Sequence, residues 1–207
     1  MKTITIFVNH PQCELDCAHA MASAFKPAFN VKMITIDEFN SDTLADTDIL
    51  VFGGGIGDAD DFDSIFLPDD IRILKNYLSN GGKYLGICMG AYWAGKNYFD
   101  ILGDVDAVQY IEQPNADINT EFETVAFVEW YNKKYPMYFY DGCAFVGDLS
   151  DADIIGTYAN GDAMAIIKSN VGVIGCHPES EKWWHEDIGY WHSGINSKLL
   201  LDFAVDL

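Results

Sequence analysis

The chain has 207 residues and a mass of 23.1 kDa, the size of one domain with a substantial core. Hydrophobic residues make up 49% of the sequence, which excludes intrinsic disorder despite the charge. The 32 Asp and Glu residues outnumber the 12 Lys and Arg residues, giving a formal net charge of -20. Binding to nucleic-acid phosphates requires clustered Lys and Arg, so we expect no nucleic-acid partner.

Neither a membrane segment nor a secreted disulfide framework is indicated. The first apolar run, residues 4–8, is too short for a signal-peptide core, and no run reaches the length of a membrane span. The cysteines are odd in number and scattered along the chain. We therefore expect free thiols, no membrane partner and a cytoplasmic location.

The first half of the chain alternates predicted strands with predicted helices. Short apolar runs predict strands over residues 4–8, 31–36, 49–52 and 84–87. Helical spacing and end signals predict helices over residues 12–25, 69–78 and 89–94. This alternation favours right-handed crossovers and an α/β fold, a doubly wound, mostly parallel sheet with helices on both faces.

The second half consists of short, often aromatic runs between Gly, Asn and Asp turns. These runs predict strands over residues 107–111, 124–130, 137–140, 154–158, 163–167 and 171–175. We expect them to add partly antiparallel strands to the same sheet or to form a small flap beside it. A final helix is predicted over residues 197–205. Because no repeat or linker marks a boundary, residues 1–207 are predicted to form a single domain.

The most informative segment is G-I-C-M-G at residues 86–90. A strand leading directly into G-x-C-x-G and a helix is the cysteine form of a nucleophile elbow, in which glycines permit a sharp turn that exposes the nucleophile. Cys88 would then lie at a helix N-terminus, which favours the thiolate. The backbone N–H of Met89 would be an oxyanion donor. The alternative is a buried cysteine that packs between two glycines.

Two further segments complete a candidate site. The sequence C-H-P-E at residues 176–179 places His177 at a strand end, with Glu179 two residues later. A reactive cysteine needs a base, and the base needs a group that orients its ring. The glycines at residues 53–55 follow a predicted core strand, so Gly54 or Gly55 could supply the second oxyanion N–H. A flexible turn is the alternative there, and no phosphate-binding glycine motif is present.

Together, the elbow GICMGAYWAG, the GGG loop and the CHPE segment resemble the class I glutamine amidotransferase-like superfamily. Within it, the chain is most similar to the family named for the N-terminal domain of eukaryotic biotin-protein ligases, which also shows a segment like YDGCAF at residues 140–145. The resemblance extends from Met1 to about Glu179. It implies a flavodoxin-like fold with Cys88 as nucleophile, His177 as base and Glu179 as orienting acid.

This chain departs from the glutamine-hydrolysing members at one position. Those members usually carry Gln two residues after the second elbow glycine, where this chain has Tyr92. The resemblance therefore implies the fold and the thiol site without implying glutamine as the substrate. We place Tyr92 in the substrate pocket.

The segment at residues 10–17 has two interpretations. His10, Cys13 and Cys17 could together form a metal site, but C-x-x-x-C without a second pair is a poor zinc signature. We favour packing cysteines, with His10 and Cys13 as candidate lining of the pocket. We predict neither a metal nor a cofactor.

Two other clusters border the predicted pocket. An acidic loop lacks the calcium-loop pattern and would disfavour anionic substrates; it contains Asp58, Asp60, Asp61 and Asp63. An aromatic segment follows the CHPE motif, with Trp183, Trp184, His185, Tyr190, Trp191 and His192. We expect core and lid packing for the aromatic segment, with a pocket wall or an oligomer contact as alternatives.

The sequence thus predicts a cysteine-dependent amidase or hydrolase acting on an amide or related carbonyl of a small molecule or peptide, neutral or cationic in charge. The alternative is a noncatalytic ligand-binding or regulatory module that retains the scaffold. A redox protein with an exposed elbow cysteine is disfavoured by the CHPE segment. A homo-oligomer is compatible with the sequence.

Overall fold

The computed structural model describes residues 1–55, 61–186, 188–191 and 195–207. Within these residues the strands join into one eleven-stranded sheet. They are β1 (Thr3–Phe7), β2 (Asn30–Ile34), β3 (Ile49–Phe52), β4 (Lys83–Ile87), β5 (Val105–Gln109), β6 (Thr124–Trp130), β7 (Lys133–Phe139), β8 (Cys143–Gly147), β9 (Asp153–Thr157), β10 (Ala163–Lys168) and β11 (Val171–Ile174).

The described helices lie mostly between the parallel strands in sequence. They are α1 (Leu15–Phe25), α2 (Ser41–Ala45), α3 (Phe62–Ile65), α4 (Pro68–Ser79), α5 (Met89–Trp93) and α6 (Ile195–Asp206). Helix α4 begins with Pro68, whose fixed φ suits a first helical position, and the Asp70 carboxylate accepts the N–H of Leu67 at 2.8 Å. Both features hold the start of α4 in place.

The sheet joins a parallel half to an antiparallel half. Its order is β2-β1-β3-β4-β11-β10-β9-β6-β7. Strand β8 also pairs with β10, and β5 pairs with β8. Pairing is parallel from β2 to β11 and antiparallel from β11 onwards. The predicted α/β, flavodoxin-like sheet with extra antiparallel strands in the C-terminal half is confirmed.

Two apolar layers cover the two faces of the sheet. Along β3, Ile49 and Val51 contribute to one layer, whereas Leu50 and Phe52 contribute to the other, as the two-residue period of a strand requires. The first layer includes Met21 of α1 and Phe203 of α6, and the second includes Leu74 of α4 and Trp93 of α5. All four residues of β3 are buried because helices cover both faces.

Several elements differ from prediction: the short helices α2 and α3 were not predicted, and β7 begins at Lys133 rather than at residue 137. Helix α1 begins at Leu15 rather than at residue 12, because the preceding residues pair with the glycine loop: the Glu14 N–H donates to the Gly54 carbonyl at 3.1 Å, and Cys13 forms a β-bridge with Gly55. Strand β8 was not predicted. It is five residues long, pairs with β5 along its length and meets β10 at one residue pair, so its stability depends on tertiary neighbours.

Some sequence predictions fall partly outside the described residues. Asp58, Asp60 and His192 lie outside them, whereas Asp61 and Asp63 lie at the start of α3. The single domain over residues 1–207 stays a prediction. Among the described helices, none is both long and apolar enough to cross a membrane.

Candidate active site

The candidate site lies where neighbouring parallel strands end. Strands β1, β3, β4 and β11 are adjacent and parallel, so the segments that follow them share one edge of the sheet. In open α/β sheets, ligands bind beyond the carboxyl ends of the strands. The segments after β3, β4 and β11 carry the glycine loop, Cys88 and His177 respectively.

Cys88 lies in a strained turn between β4 and α5. Its φ of 51° is in the left-handed region that side chains rarely adopt. The Cys88 N–H donates to the Ile174 carbonyl at 2.9 Å, which joins the turn to β11. The thiol donates to the Tyr140 carbonyl with a sulfur–oxygen distance of 3.5 Å. The backbone thus makes the sharp strand-to-helix turn of the predicted elbow, but Cys88 is only 7% exposed, whereas an exposed side chain was predicted.

Gly90 allows α5 to approach β3 closely. A Cβ at residue 90 would collide with the carbonyl oxygen of Phe52, the last residue of β3. The Gly90 N–H also donates to the Gly53 carbonyl at 3.1 Å. The second elbow glycine therefore holds the elbow against the glycine loop.

His177 and Glu179 form a buried pair. Nδ1 of His177 lies 2.9 Å from Oε1 of Glu179, and the two residues are 5% and 2% exposed. A carboxylate only accepts hydrogen bonds, so Nδ1 donates, which leaves Nε2 as the ring nitrogen available to Cys88. The His177 N–H donates to the Tyr138 carbonyl at 2.9 Å and fixes the backbone at this position.

The electrostatic surroundings of His177 favour its protonated form. Burial opposes protonation, but Cys88, Glu179 and the hydrogen bonds of Cys17 and Cys88 together raise the pKa of His177 well above its ordinary value. Cys88 is thus electrostatically coupled to His177. The structure brings the three residues predicted as a triad together at one edge of the sheet.

This coupling makes a testable prediction. Cys88→Ala removes one interaction that raises the pKa of His177, so we expect that pKa to fall. The measurement is an NMR pH titration of the His177 ring. Cys143→Ala, which removes another buried thiol, is the control and should move the pKa much less. An unchanged His177 pKa in Cys88→Ala would contradict the coupling.

Cys17 is buried, as expected of a packing cysteine, but it also contacts the site residues His177 and Glu179. Its thiol donates to Glu179 Oε1 at 2.8 Å and lies 3.9 Å from Nδ1 of His177. The Gly54 N–H in turn donates to Cys17 Sγ at 3.3 Å. Burial and the charge of Glu179 raise the pKa of Cys17 above its ordinary value. No local signal distinguishes this cysteine, because its contacts with Gly54, His177 and Glu179 are 37 to 162 residues away in sequence.

The backbone N–H groups predicted as oxyanion donors differ in the contacts that they already make. Met89 is the first residue of α5, and the N–H of a first helical residue has no acceptor within its own helix. The Gly54 N–H is already bonded to Cys17 Sγ. Gly55 forms the bridge with Cys13. Met89 and Gly55 thus remain the candidate donors, whereas the Gly54 N–H already donates to Cys17.

A cavity of about 460 Å³ opens beside His177. It is lined by Glu14, Asp16, Cys17, Gly54, Gly55, Glu123, Tyr138, Tyr140, His177, Trp183 and Trp184. The aromatic segment after the CHPE motif thus supplies two walls of the cavity. Cys88 is not among these lining residues. Its thiol contacts the backbone carbonyl of Tyr140, which is one of the lining residues.

The residues predicted to line the pocket lie elsewhere. His10 is exposed, and Cys13 is buried in the second apolar layer, where burial raises its pKa to about 11. The Tyr92 hydroxyl donates to the carbonyl of Asp141 at 3.1 Å. None of these three is among the described residues that line the cavity beside His177.

A second cavity, of about 480 Å³, lies at the opposite edge of the sheet. Its lining includes Lys2, Asp48 and Lys83, which lie at or beside the N-terminal ends of β1, β3 and β4. The cavity beside His177 is the better substrate site, since only that edge carries the elbow, the buried pair and the glycine loop.

Comparison with known proteins agrees with this architecture. Residues 9–106 match the family model described as "Biotin-protein ligase, N terminal". The match includes Cys88 and the glycine loop and ends before His177. No curated protein sequence matches the chain.

Several solved structures share the fold at low sequence identity. PurLQS from Thermotoga maritima is 14% identical, with a TM-score of 0.67 over 100% of this chain and 99% of that one. A glutamine amidotransferase from the same organism is 15% identical, with a TM-score of 0.62 over 98% and 90%. A glutamine amidotransferase from Methylobacillus flagellatus is 14% identical, with a TM-score of 0.58 over 90% and 74%.

The resemblance stated from the motifs is therefore confirmed. From residue 9 to residue 106 the sequence matches the biotin-protein ligase N-terminal family model, and the chain shares its fold with solved structures of glutamine amidotransferases.

Proposed function

We propose that the protein is a cysteine-dependent amidase or hydrolase that cleaves an amide or related carbonyl. The observation that carries the proposal is the arrangement of Cys88 in a strained elbow, coupled to His177, whose Nδ1 is held by the buried carboxylate of Glu179. A nucleophile, a base and an orienting acid in this order are the requirements of covalent acyl transfer.

The first half-reaction forms an acyl-enzyme. Sulfur of Cys88 attacks the carbonyl carbon, and the thiol proton resides on Nε2 of His177. The carbonyl oxygen becomes an oxyanion, stabilised by the N–H groups of Met89 and Gly55. When the tetrahedral intermediate collapses, the carbon–nitrogen bond breaks, and the proton on His177 passes to the departing nitrogen.

The second half-reaction releases the acid. His177 takes a proton from water as the water oxygen attacks the thioester carbon. The carbon–sulfur bond then breaks, and the sulfur of Cys88 leaves with its electron pair and recovers the proton. Glu179 keeps Nδ1 protonated throughout, so that Nε2 faces the reacting groups.

The cavity lining supports a neutral or cationic substrate. Glu14, Asp16 and Glu123 contribute carboxylates, and the described lining includes no Lys or Arg. Aromatic rings of Tyr138, Tyr140, Trp183 and Trp184 form the remaining walls. Carboxylates beside aromatic faces attract cations and repel anions. We propose an amide that carries an ammonium or guanidinium group.

Substrate charge can be tested by neutralising the cavity rim. The double substitution Glu14→Gln with Glu123→Gln is expected to lower kcat/KM about tenfold for a cationic amide, because two attractive charges are lost, one half-buried at Glu14 and one exposed at Glu123. The measurement compares kcat/KM for Nα-acetyl-lysine amide, which carries one ammonium group, and for its neutral analogue Nα-acetyl-norleucine amide.

Asp46→Asn is the matched control. Asp46 is an exposed acid at the end of α2, beside the opposite edge of the sheet, so its loss should leave both rates nearly unchanged. Equal loss of rate for the cationic and the neutral amide in the double variant would argue against charge selection.

A further inference from the structure

We propose that Cys17, His177 and Glu179 form a three-ligand binding site for a divalent transition-metal ion of the zinc type, and that occupation of this site switches the Cys88 chemistry off. The binding does not depend on the proposed hydrolase activity. Only its consequence for turnover rests on that function.

The three potential ligand atoms converge at one point. Cys17 Sγ lies 2.8 Å from Glu179 Oε1 and 3.9 Å from His177 Nδ1, and Nδ1 lies 2.9 Å from Oε1. Atoms with these separations can all lie at about 2.0–2.3 Å from a single position, the usual range of bonds from zinc to nitrogen, oxygen and sulfur. All three residues are buried and form one group of candidate ligands.

An unsatisfied carboxylate oxygen is the second observation. Oε2 of Glu179 is buried and has no hydrogen-bond partner among the described residues, while Oε1 accepts from both Cys17 and His177. A buried carboxylate oxygen without a partner is costly. The two existing hydrogen bonds to Oε1 leave this cost in place, whereas a cation bound through both carboxylate oxygens would remove it.

Gly54 leaves the space that such an ion needs. A Cβ at this position would lie 2.7 Å from Cε1 of His177 and 3.3 Å from Sγ of Cys17. A side chain at residue 54 would therefore fill the gap between the two ligands. The lining of the cavity includes Cys17, Gly54 and His177, so an ion and a water molecule as its fourth ligand have a route from solvent.

The donor set selects the class of ion. One sulfur, one imidazole nitrogen and one carboxylate oxygen suit zinc or cobalt better than calcium or magnesium, which prefer oxygen ligands. Binding would displace the thiol proton of Cys17 and the Nδ1 proton of His177. Cys17 then binds as a thiolate although burial raises its pKa, because the ion supplies the opposing charge.

Metal binding and Cys88 catalysis compete for the same histidine. With the ion on Nδ1, the remaining ring proton is held at Nε2, so His177 can no longer accept a proton from Cys88 or from water. The Glu179 carboxylate would also bind the ion and would no longer accept the hydrogen bond that orients the His177 ring. Turnover should therefore fall as the site fills.

The test is a titration of the metal-free full chain with Co²⁺ and with Zn²⁺. We expect one equivalent of Co²⁺ to produce a thiolate-to-cobalt charge-transfer band, and Zn²⁺ to displace it. Cys17→Ser should remove the band and weaken Zn²⁺ binding, measured by calorimetry, at least about tenfold. Cys88→Ala should keep both the charge-transfer band and the affinity for Zn²⁺, because the sulfur ligand is Cys17.

Three results would overturn the proposal: no stoichiometric binding to the wild-type chain, a band that survives in Cys17→Ser, or a band that is lost in Cys88→Ala. Should Cys17→Ser fail to fold, Glu179→Gln serves instead and must weaken Zn²⁺ binding. Binding to Cys88→Ala, which has no nucleophile, tests the metal site separately from the hydrolase. Cys143→Ala should bind as the wild type does.

Discussion

Replacing Cys88 with alanine is expected to lower amide hydrolysis by at least about a thousandfold while leaving the fold intact. The substitution removes the only atom that can form the acyl-enzyme in the proposed mechanism. It deletes one sulfur atom from a side chain that is 7% exposed and lies at the first apolar layer, so the cavity it leaves is small and the fold should persist. Hydrolysis of an amide panel, with circular dichroism as the check on folding, makes the measurement.

Alkylation gives a second readout that does not require the substrate. Burial raises the pKa of Cys13 to about 11 and of Cys176 to about 12, and it also raises the pKa of Cys17 and Cys143, so these thiols should react slowly with iodoacetamide. Fast alkylation mapped to Cys88 by mass spectrometry would support the thiol site.

Cys143→Ala is the matched control for both measurements. Cys143 is also a buried cysteine, 0% exposed, and it has no role in the proposed reaction. Its substitution should preserve turnover and fast alkylation. Full activity in Cys88→Ala would refute the mechanism, and alkylation of Cys88 no faster than that of an ordinary free thiol would favour a noncatalytic binding module.

Gly90→Ala is expected to lower the free energy of unfolding by about 3 kcal/mol. Helix propensity alone predicts the opposite sign, since alanine is better than glycine inside a helix by about 1 kcal/mol. Here the added Cβ would meet the carbonyl of Phe52 in β3, a central strand that cannot move away. Urea denaturation of the wild-type protein and of Gly90→Ala measures the difference in the free energy of unfolding.

Gly53→Ala is the control because Gly53 lies beside the same strand end. The nearest atom to a Cβ at residue 53 is Cε of Met21 at 2.5 Å, the end of a flexible side chain that can rotate away. We expect a cost below about 1 kcal/mol for this variant. If Gly90→Ala proves as stable as Gly53→Ala, the close approach of α5 to β3 does not require glycine at residue 90, and the prediction is wrong.

Local sequence patterns were sufficient to predict the strands that carry the site. The all-apolar run of β3, the glycine loop after it and the direct passage from β4 into α5 are signals contained within a few residues. Because the carboxyl ends of parallel strands share an edge, the pattern also predicted that Cys88, Gly54 and His177 lie near one another. Strand β8 escaped prediction because its pairing with β5 and β10 is entirely long-range.

The lining of the cavity could not be predicted in the same way. His10, Cys13 and Tyr92 are close in sequence to site residues, yet His10 is exposed, Cys13 is buried in the second apolar layer and the Tyr92 hydroxyl donates to the Asp141 carbonyl. Their places are taken by residues from distant segments, among them Glu123 and Trp184. Proximity along the chain says little about which face of a loop a side chain occupies.

By itself the sequence determined the acidic character, the α/β fold and the elbow, since composition, hydrophobic periodicity and turn residues act over short distances. Only the tertiary structure decided that Cys17 joins His177 and Glu179, and that the Gly54 N–H is bonded to Cys17. The physical reason is that these contacts join α1 and the loops after β3 and β11, whose relative positions depend on packing against both faces of the sheet.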